Sequence, residues 1–235
     1  AGVFTVDLHT HTRFFHGFSS RPTPYDPVGA RLVTAVARSH GLDGVAFTNH
    51  DYYEPFAPVA GIAAIPGIEV SSTRGHVLVV GPDPPAVTHV DGMDPPAVVD
   101  LAHDRGCAAI IAHPYRNSSV REVDAPFDAI EINGKHPRTS DWVRTLADEH
   151  DLPIVGGSDA HYPFEVGRAY TAVDADRLTP GSVVAAIRDG RVEPRVTDWL
   201  PHRVLRRVYR HVHTEKGELD RPDWLTPGVG QPPGE

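Results

Sequence analysis

The chain is expected to adopt an α/β fold, and three observations predict it. Short apolar runs alternate with helix-patterned stretches through residues 4–190. Aspartate-proline pairs open two of the helical stretches and glycines close several of them. A length of 235 residues with 40% hydrophobic and 23% charged residues suits one soluble globular domain with a large core.

Strands are expected at 4–8, 44–48, 63–70, 76–80, 107–112, 129–132 and 153–156, with a further run at 168–173. Most are continuous apolar runs, as in strands covered on both faces. Asp26-Pro27 forms a cap and first-turn pair for a helix that stops at Gly41, and Asp94-Pro95 repeats the device before Gly106. Two more helices are read at 140–150 and 180–189, the latter stopped by Gly190. A basic helix is expected at 204–213. A proline- and glycine-rich extension with Pro222, Pro227, Pro232 and Pro233 follows it. Residues 1–200 thus read as the main domain and 201–235 as a helix and tail. About seven βα units suggest a closed or nearly closed barrel, although periodicity also fits an open sheet. In either arrangement the C-terminal ends of parallel strands form one functional face.

Composition narrows the function. The formal net charge is −9, which disfavours long nucleic acid as a partner, because phosphate backbones are bound by clustered Lys and Arg. No apolar run approaches the ~20 residues that span a membrane. The N-terminal residues enter a strand pattern at once, so no signal peptide is expected. The single cysteine, Cys107, permits no intrachain disulfide and suits a reducing, cytoplasmic setting. It lies in an apolar run and reads as a core residue.

Histidine is the informative excess, with 15 in the chain. The first strand runs into Asp7-Leu8-His9-Thr10-His11-Thr12, followed by His16. Residues i and i+2 of an extended chain project to one side, so His9 and His11 can converge on a cation. The second strand leads to Thr48-Asn49-His50-Asp51, the third carries Pro66-Gly67-Ile68-Glu69, and His76 opens the fourth. The fifth ends in Ala112-His113-Pro114 and the seventh in Gly157-Ser158-Asp159-Ala160-His161. Taken alone, His50 or His76 reads as an ordinary surface histidine, Asp159 as a helix cap and Glu69 as a buried ion-pair partner. Packing gives no reason to concentrate imidazoles at strand ends, so together they predict a metal site. The set His9, His11, His16, His50, Glu69, His76, His113, Asp159 and His161 exceeds the needs of one ion. Two or three divalent transition-metal ions are therefore expected. Mixed nitrogen and oxygen ligation without thiolate suits Zn, Mn or Fe, and Glu69 is the natural bridge.

These six motifs, in this order over residues ~4–165, resemble those of the PHP (polymerase and histidinol phosphatase) superfamily. The resemblance implies a distorted (β/α)7 barrel with a trinuclear metal site at the C-terminal ends of its strands, and phosphoester hydrolysis. It implies one ion on His9, His11, Glu69 and Asp159, and a second sharing Glu69 with His76 and His113. A third would take His16, His50 and His161. Relatives often carry Asp where this chain has His16. Residues 77–112 hold only a loop and one helix, so no separate capping domain is expected.

The expected reaction is hydrolysis of a small phosphomonoester or nucleotide by a metal-activated hydroxide held near Glu69 and Asp159. Arg116, then Lys135 and His136, are the expected partners of the phosphoryl and leaving groups, with Arg13 and Arg168 behind them. Asp51 reads as either a partner for a ligand histidine or a structural cap. Two other functions compete. An amidohydrolase also begins with His-X-His, but it usually needs a carboxylated lysine, and no lysine precedes Lys135. A non-catalytic PHP module is the other, and the complete ligand set argues against it.

Overall fold

A computed structural model of the chain describes residues 2–12, 25–55, 61–116 and 118–197. His16, Arg13, the expected helix at 204–213 and the division at residue 200 lie outside the described residues.

The strands are β1 (Gly2–Thr10), β2 (Gly44–Phe47), β3 (Ala63–Ser72), β4 (Gly75–Val80), β5 (Ala108–Ile111), β6 (Ala129–Asn133), β7 (Ile154–Gly157), β8 (Ala169–Ala175) and β9 (Val192–Val196). The helices are α1 (Pro27–Ser39), α2 (Pro95–Asp104), α3 (Ser140–His150) and α4 (Pro180–Arg188). Asp26 caps α1 through Val28 and Gly29 N–H, and Asp94 caps α2 through Ala97 N–H. The proline that follows each cap costs no hydrogen bond, because the first-turn N–H is unpaired in any helix.

The strands are ordered β7-β6-β5-β4-β3-β2-β1-β8-β9. The sheet curls until its β7 side meets β1. Thr10 bridges Ala160, and the His11 N–H donates to the Ala160 carbonyl at 2.9 Å. Asp7 on β1 fastens the seam: its carboxylate accepts from the Ser158 and Gly167 N–H groups, each at 2.9 Å. Burial pushes this carboxyl up to about 6, even though Ser158, Gly167 and His9 bind it. Gly156 and Gly157 make the close approach feasible. A Cβ at Gly156 would collide with the Tyr170 backbone, and one at Gly157 would overlap Glu131 Oε1 and lie 2.6 Å from His9 Cβ.

Two features depart from the sequence reading. The strands are not uniformly parallel: β4 is antiparallel to both neighbours, and β8 to β1. For β4 the cause is the β3–β4 link, where Ser72 pairs directly with Gly75 across Thr73-Arg74. So short a link makes a hairpin, whereas a parallel crossover needs a dozen residues or more. The other departure is β9, which the sequence reading does not include. Its residues are largely exposed and Pro194 interrupts its donors, so it resembles a strand only as a sheet edge.

Alternate residues of each strand divide two apolar layers. Leu78, Val80, Ala108 and Ile110 face the barrel interior with Leu8 and Ile65, while Val77, Val79, Ala109 and Ile111 pack under α2 and α3. Val183, Val184 and Ile187 of α4 join the interior cluster and cover the end at which β5 begins. The opposite end is left for polar groups. Cys107 is buried in the core, as expected.

Candidate metal centre

Every described residue of the expected ligand set lies at this polar end. His9 and His11 leave β1, His50 follows β2, Glu69 sits in β3, and His113, Asp159 and His161 follow β5 and β7. His76 reaches the same rim because β4 runs backwards, which brings its first residues beside Ser71 of β3. His113 and Asp159 both hold positive φ, at 28° and 52°, a strained backbone that turns their side chains inward.

Glu69 is the hub. Its Oε2 lies 3.1 Å from His9 Nε2, 3.2 Å from His11 Nε2 and 3.1 Å from His50 Nδ1. Its Oε1 lies 2.6 Å from His76 Nδ1 and 3.0 Å from His113 Nε2. One buried carboxylate thus faces a different group of imidazoles with each oxygen. Asp159 Oδ1 stands 3.3 Å from His11 Nε2, 3.2 Å from His161 Nδ1 and 3.3 Å from Lys135 Nζ. Its Oδ2 accepts from Arg116 at 3.0 Å. Lys135 Nζ also lies 2.7 Å from His161 Nδ1.

Three sets of donor atoms fall within 4.8 Å of one another: His9, His11, Glu69 and Asp159; His11, His50 and His161; and His50, Glu69 and His76. The first consists of the four residues that the resemblance implies for one ion. The others differ in that His50 joins Glu69 and His76, and His11 joins His50 and His161. His113 reaches Glu69 through Nε2 and lies in ring contact with His9 and His76.

The electrostatics favour a cation. Burial would raise the Glu69 carboxyl, but His50, His9 and His76 hold it well below the ordinary range. Burial would likewise raise Asp159, and Lys135, His161 and His9 hold it well below. Burial pushes His113 down and His50 and His161 well down, toward the neutral imidazole that a metal requires. His9 moves the other way: Glu131, Glu69 and Asp159 outweigh burial and raise it well above its usual value. These carboxylates therefore draw positive charge to that point. His9 Nε2 is buried without a hydrogen bond although Glu69 Oε2 is 3.1 Å away. The donor set and this bare nitrogen fit divalent metal binding, with the ligands above as holders.

The sequence reading missed two residues. Glu131, fully buried in β6, takes His9 Nδ1 at 2.7 Å, the His113 N–H at 2.8 Å and Asn133 Nδ2 at 3.0 Å. It leaves His9 Nε2 facing the cluster, the arrangement by which carboxylates orient metal-binding histidines. Its signal was a lone charge inside the apolar run Ala129-Ile130-Glu131-Ile132. Glu165, also buried, accepts the His161 and Tyr162 N–H groups at 2.7 and 3.0 Å and fixes the chain beside His161. Asp51 binds the Ser71 N–H and Thr88 Oγ1, at 2.9 and 2.8 Å, which is the structural alternative of its two readings. Arg168 is buried and contacts Glu165. His136 is buried, and both ring nitrogens lack a hydrogen bond. Burial, Arg116 and His113 push it well down.

The PHP-associated family model (PHP_C) matches residues 141–192, from α3 to the start of β9. Comparison with curated proteins finds no match. Solved structures share the fold. PsfC from Pseudomonas syringae PB-5123 superposes with a TM-score of 0.70 at 19% identity, covering 90% of this chain and 99% of that one. A two-domain protein from Bacteroides vulgatus ATCC 8482, containing a predicted PHP-like metal-dependent phosphoesterase, gives 0.57 at 18% identity, over 83% of this chain and 65% of that one. The lesion-specific endonuclease PfuEndoQ from Pyrococcus furiosus gives 0.55 at 18% identity, over 80% and 56%. The chain therefore spans less than two thirds of the latter two. The six ordered motifs, the family-model match over residues 141–192 and this barrel are all similar to what PHP proteins carry.

Proposed function

We propose that the protein is a metal-dependent phosphoesterase that hydrolyses a small phosphomonoester. The observation that carries this reading is the division of Glu69 between two groups of imidazoles, His9, His11 and His50 on one oxygen and His76 and His113 on the other. A buried carboxylate so placed is suited to bridging two cations. His9, His11, His50, Glu69, His76, His113, Asp159 and His161 would hold two or three ions of Zn, Mn or Fe, with His16 as a further ligand. When bound, the ions supply Lewis acidity, which activates water and screens phosphoryl oxygens.

The chain's own groups supply the rest. Arg116 is part-exposed at the rim and can place a guanidinium on a phosphoryl oxygen while keeping hold of Asp159. Lys135 is a compact second positive charge on the Asp159 side. His136, buried beside them, is the group assigned to the leaving oxygen. Glu131 and Glu165 keep the ligands oriented through His9, His113 and His161.

The test is a hydrolysis panel on protein loaded with Mn²⁺, Zn²⁺ or Fe²⁺, using an aryl phosphate, AMP, a dinucleotide, an abasic-site duplex, and a linear and a cyclic amide. Turnover of monoesters, lost in Glu69→Gln and Asp159→Asn, supports the reading. Turnover confined to the duplex would assign it a nuclease role like the one named for PfuEndoQ, which the net charge of −9 disfavours. Turnover of amides alone would assign an amidohydrolase.

A further inference from the structure

Beside the metal centre lies a cleft of about 610 Å³ between residues 71–76 of the β3–β4 hairpin and residues 118–122 after β5. Its volume suits a small ligand. His76 lines it and also lies 2.6 Å from Glu69, so the cleft adjoins the reacting end. Serine and threonine residues make up much of its lining, the Ser72 hydroxyl donating to the Gly75 carbonyl and the Ser119 hydroxyl accepting from Arg74, and Val90 is its one apolar side chain among the described residues.

Two positive and two negative side chains line the cleft, Arg74 and Arg121 with Asp91 and Glu122, and both guanidiniums lie against Glu122. Arg74 donates to Ser119 Oγ at 2.9 Å, and its Nη2 lies 3.3 Å from Glu122. Arg121 Nη2 lies 3.4 Å from the same carboxylate, and its ring-facing side is fixed over Tyr115 at 5.0 Å. With the charges balanced, a second phosphate gains no net attraction there. No Phe, Tyr or Trp ring lines the described wall, and its one imidazole, His76, is engaged with Glu69, so the wall offers a nucleobase little surface for stacking. Hydroxyl groups, which both donate and accept, match guanidinium, carboxylate and serine alike.

We propose that this cleft holds the uncharged, hydroxyl-rich part of a sugar phosphate or polyol phosphate, and that Arg74 is a specificity-determining residue for it. The inference rests on the phosphoesterase reading and narrows its substrate class. Sites that hydrogen-bond a hydroxyl discriminate strongly against analogues lacking it.

The experiment compares kcat/KM of the metal-loaded protein for glucitol 6-phosphate, ribose 5-phosphate, propyl phosphate, AMP and fructose 1,6-bisphosphate, with 4-nitrophenyl phosphate as the general reporter. The polyol and sugar monophosphates should exceed propyl phosphate by at least ~10-fold, mainly through KM. Arg74→Ala should cut that ratio at least ~5-fold, and Arg74→Lys should restore part of it. Equal rates for propyl and polyol esters, a preference for AMP or the bisphosphate, or an Arg74→Ala loss that is uniform across esters would overturn the assignment of the cleft alone. Absence of turnover even of 4-nitrophenyl phosphate would instead remove the phosphoesterase reading and the inference with it.

Discussion

Replacing Glu131 with glutamine keeps the shape of the side chain but removes the charge that His9 Nδ1, the His113 N–H and Asn133 Nδ2 share. The expected result is a metal affinity about 10–100-fold weaker, read by competition with a chelating dye, in a protein with unchanged far-ultraviolet circular dichroism. An unaltered affinity would mean that the orientation of His9 does not depend on this carboxylate. Glu69→Gln is expected to do more, lowering the number of ions bound as well as their affinity, because both oxygens face imidazoles. The contrast between these two glutamates explains what could be read in advance. Glu69 stands in a motif with a histidine-rich setting, so its chemistry was visible in the chain. Glu131 stands alone, between isoleucines, and its meaning depends on β6 lying against β1's histidine across the barrel. That relation is tertiary and has no local signature.

At the scale of elements, the seam between β1 and β7 sets the position of the ligands. Asp7→Asn should weaken it, since an amide cannot accept from the Ser158 and Gly167 N–H groups without turning its own donor toward one of them. A cost of about 1–3 kcal/mol follows, which for a domain of this size lowers the melting temperature by roughly 3–10 °C in a thermal scan. Gly157→Ala should be worse for the site than for the fold, because the new methyl meets Glu131 Oε1 and His9 Cβ. Metal affinity should fall even at temperatures where the variant stays folded. Strand existence was well signalled by the apolar runs, and helix starts by the Asp-Pro pairs. Strand direction was not. It follows from the two-residue link after Ser72, which forces β4 to run backwards and places His76 on the rim. β9 was hidden because an exposed edge strand with a proline carries no apolar pattern.

For the molecule as a whole, ion binding and stability should be linked. The centre gathers buried carboxylates and imidazoles, so a divalent ion bound there at 100 times its dissociation constant should add about 2.7 kcal/mol to the folded state. No helix among the described residues is long and apolar enough to cross a membrane. The central claim is that Glu69 and Asp159 draw the rim histidines around transition-metal ions, and that this assembly hydrolyses phosphate esters. Elemental analysis and phosphate release measured on one preparation, before and after chelation, address both halves together. Two or three ions per chain are expected, with turnover that vanishes on chelation and returns on reloading. A chain that takes up no transition metal, or that releases phosphate equally well without it, would contradict the claim.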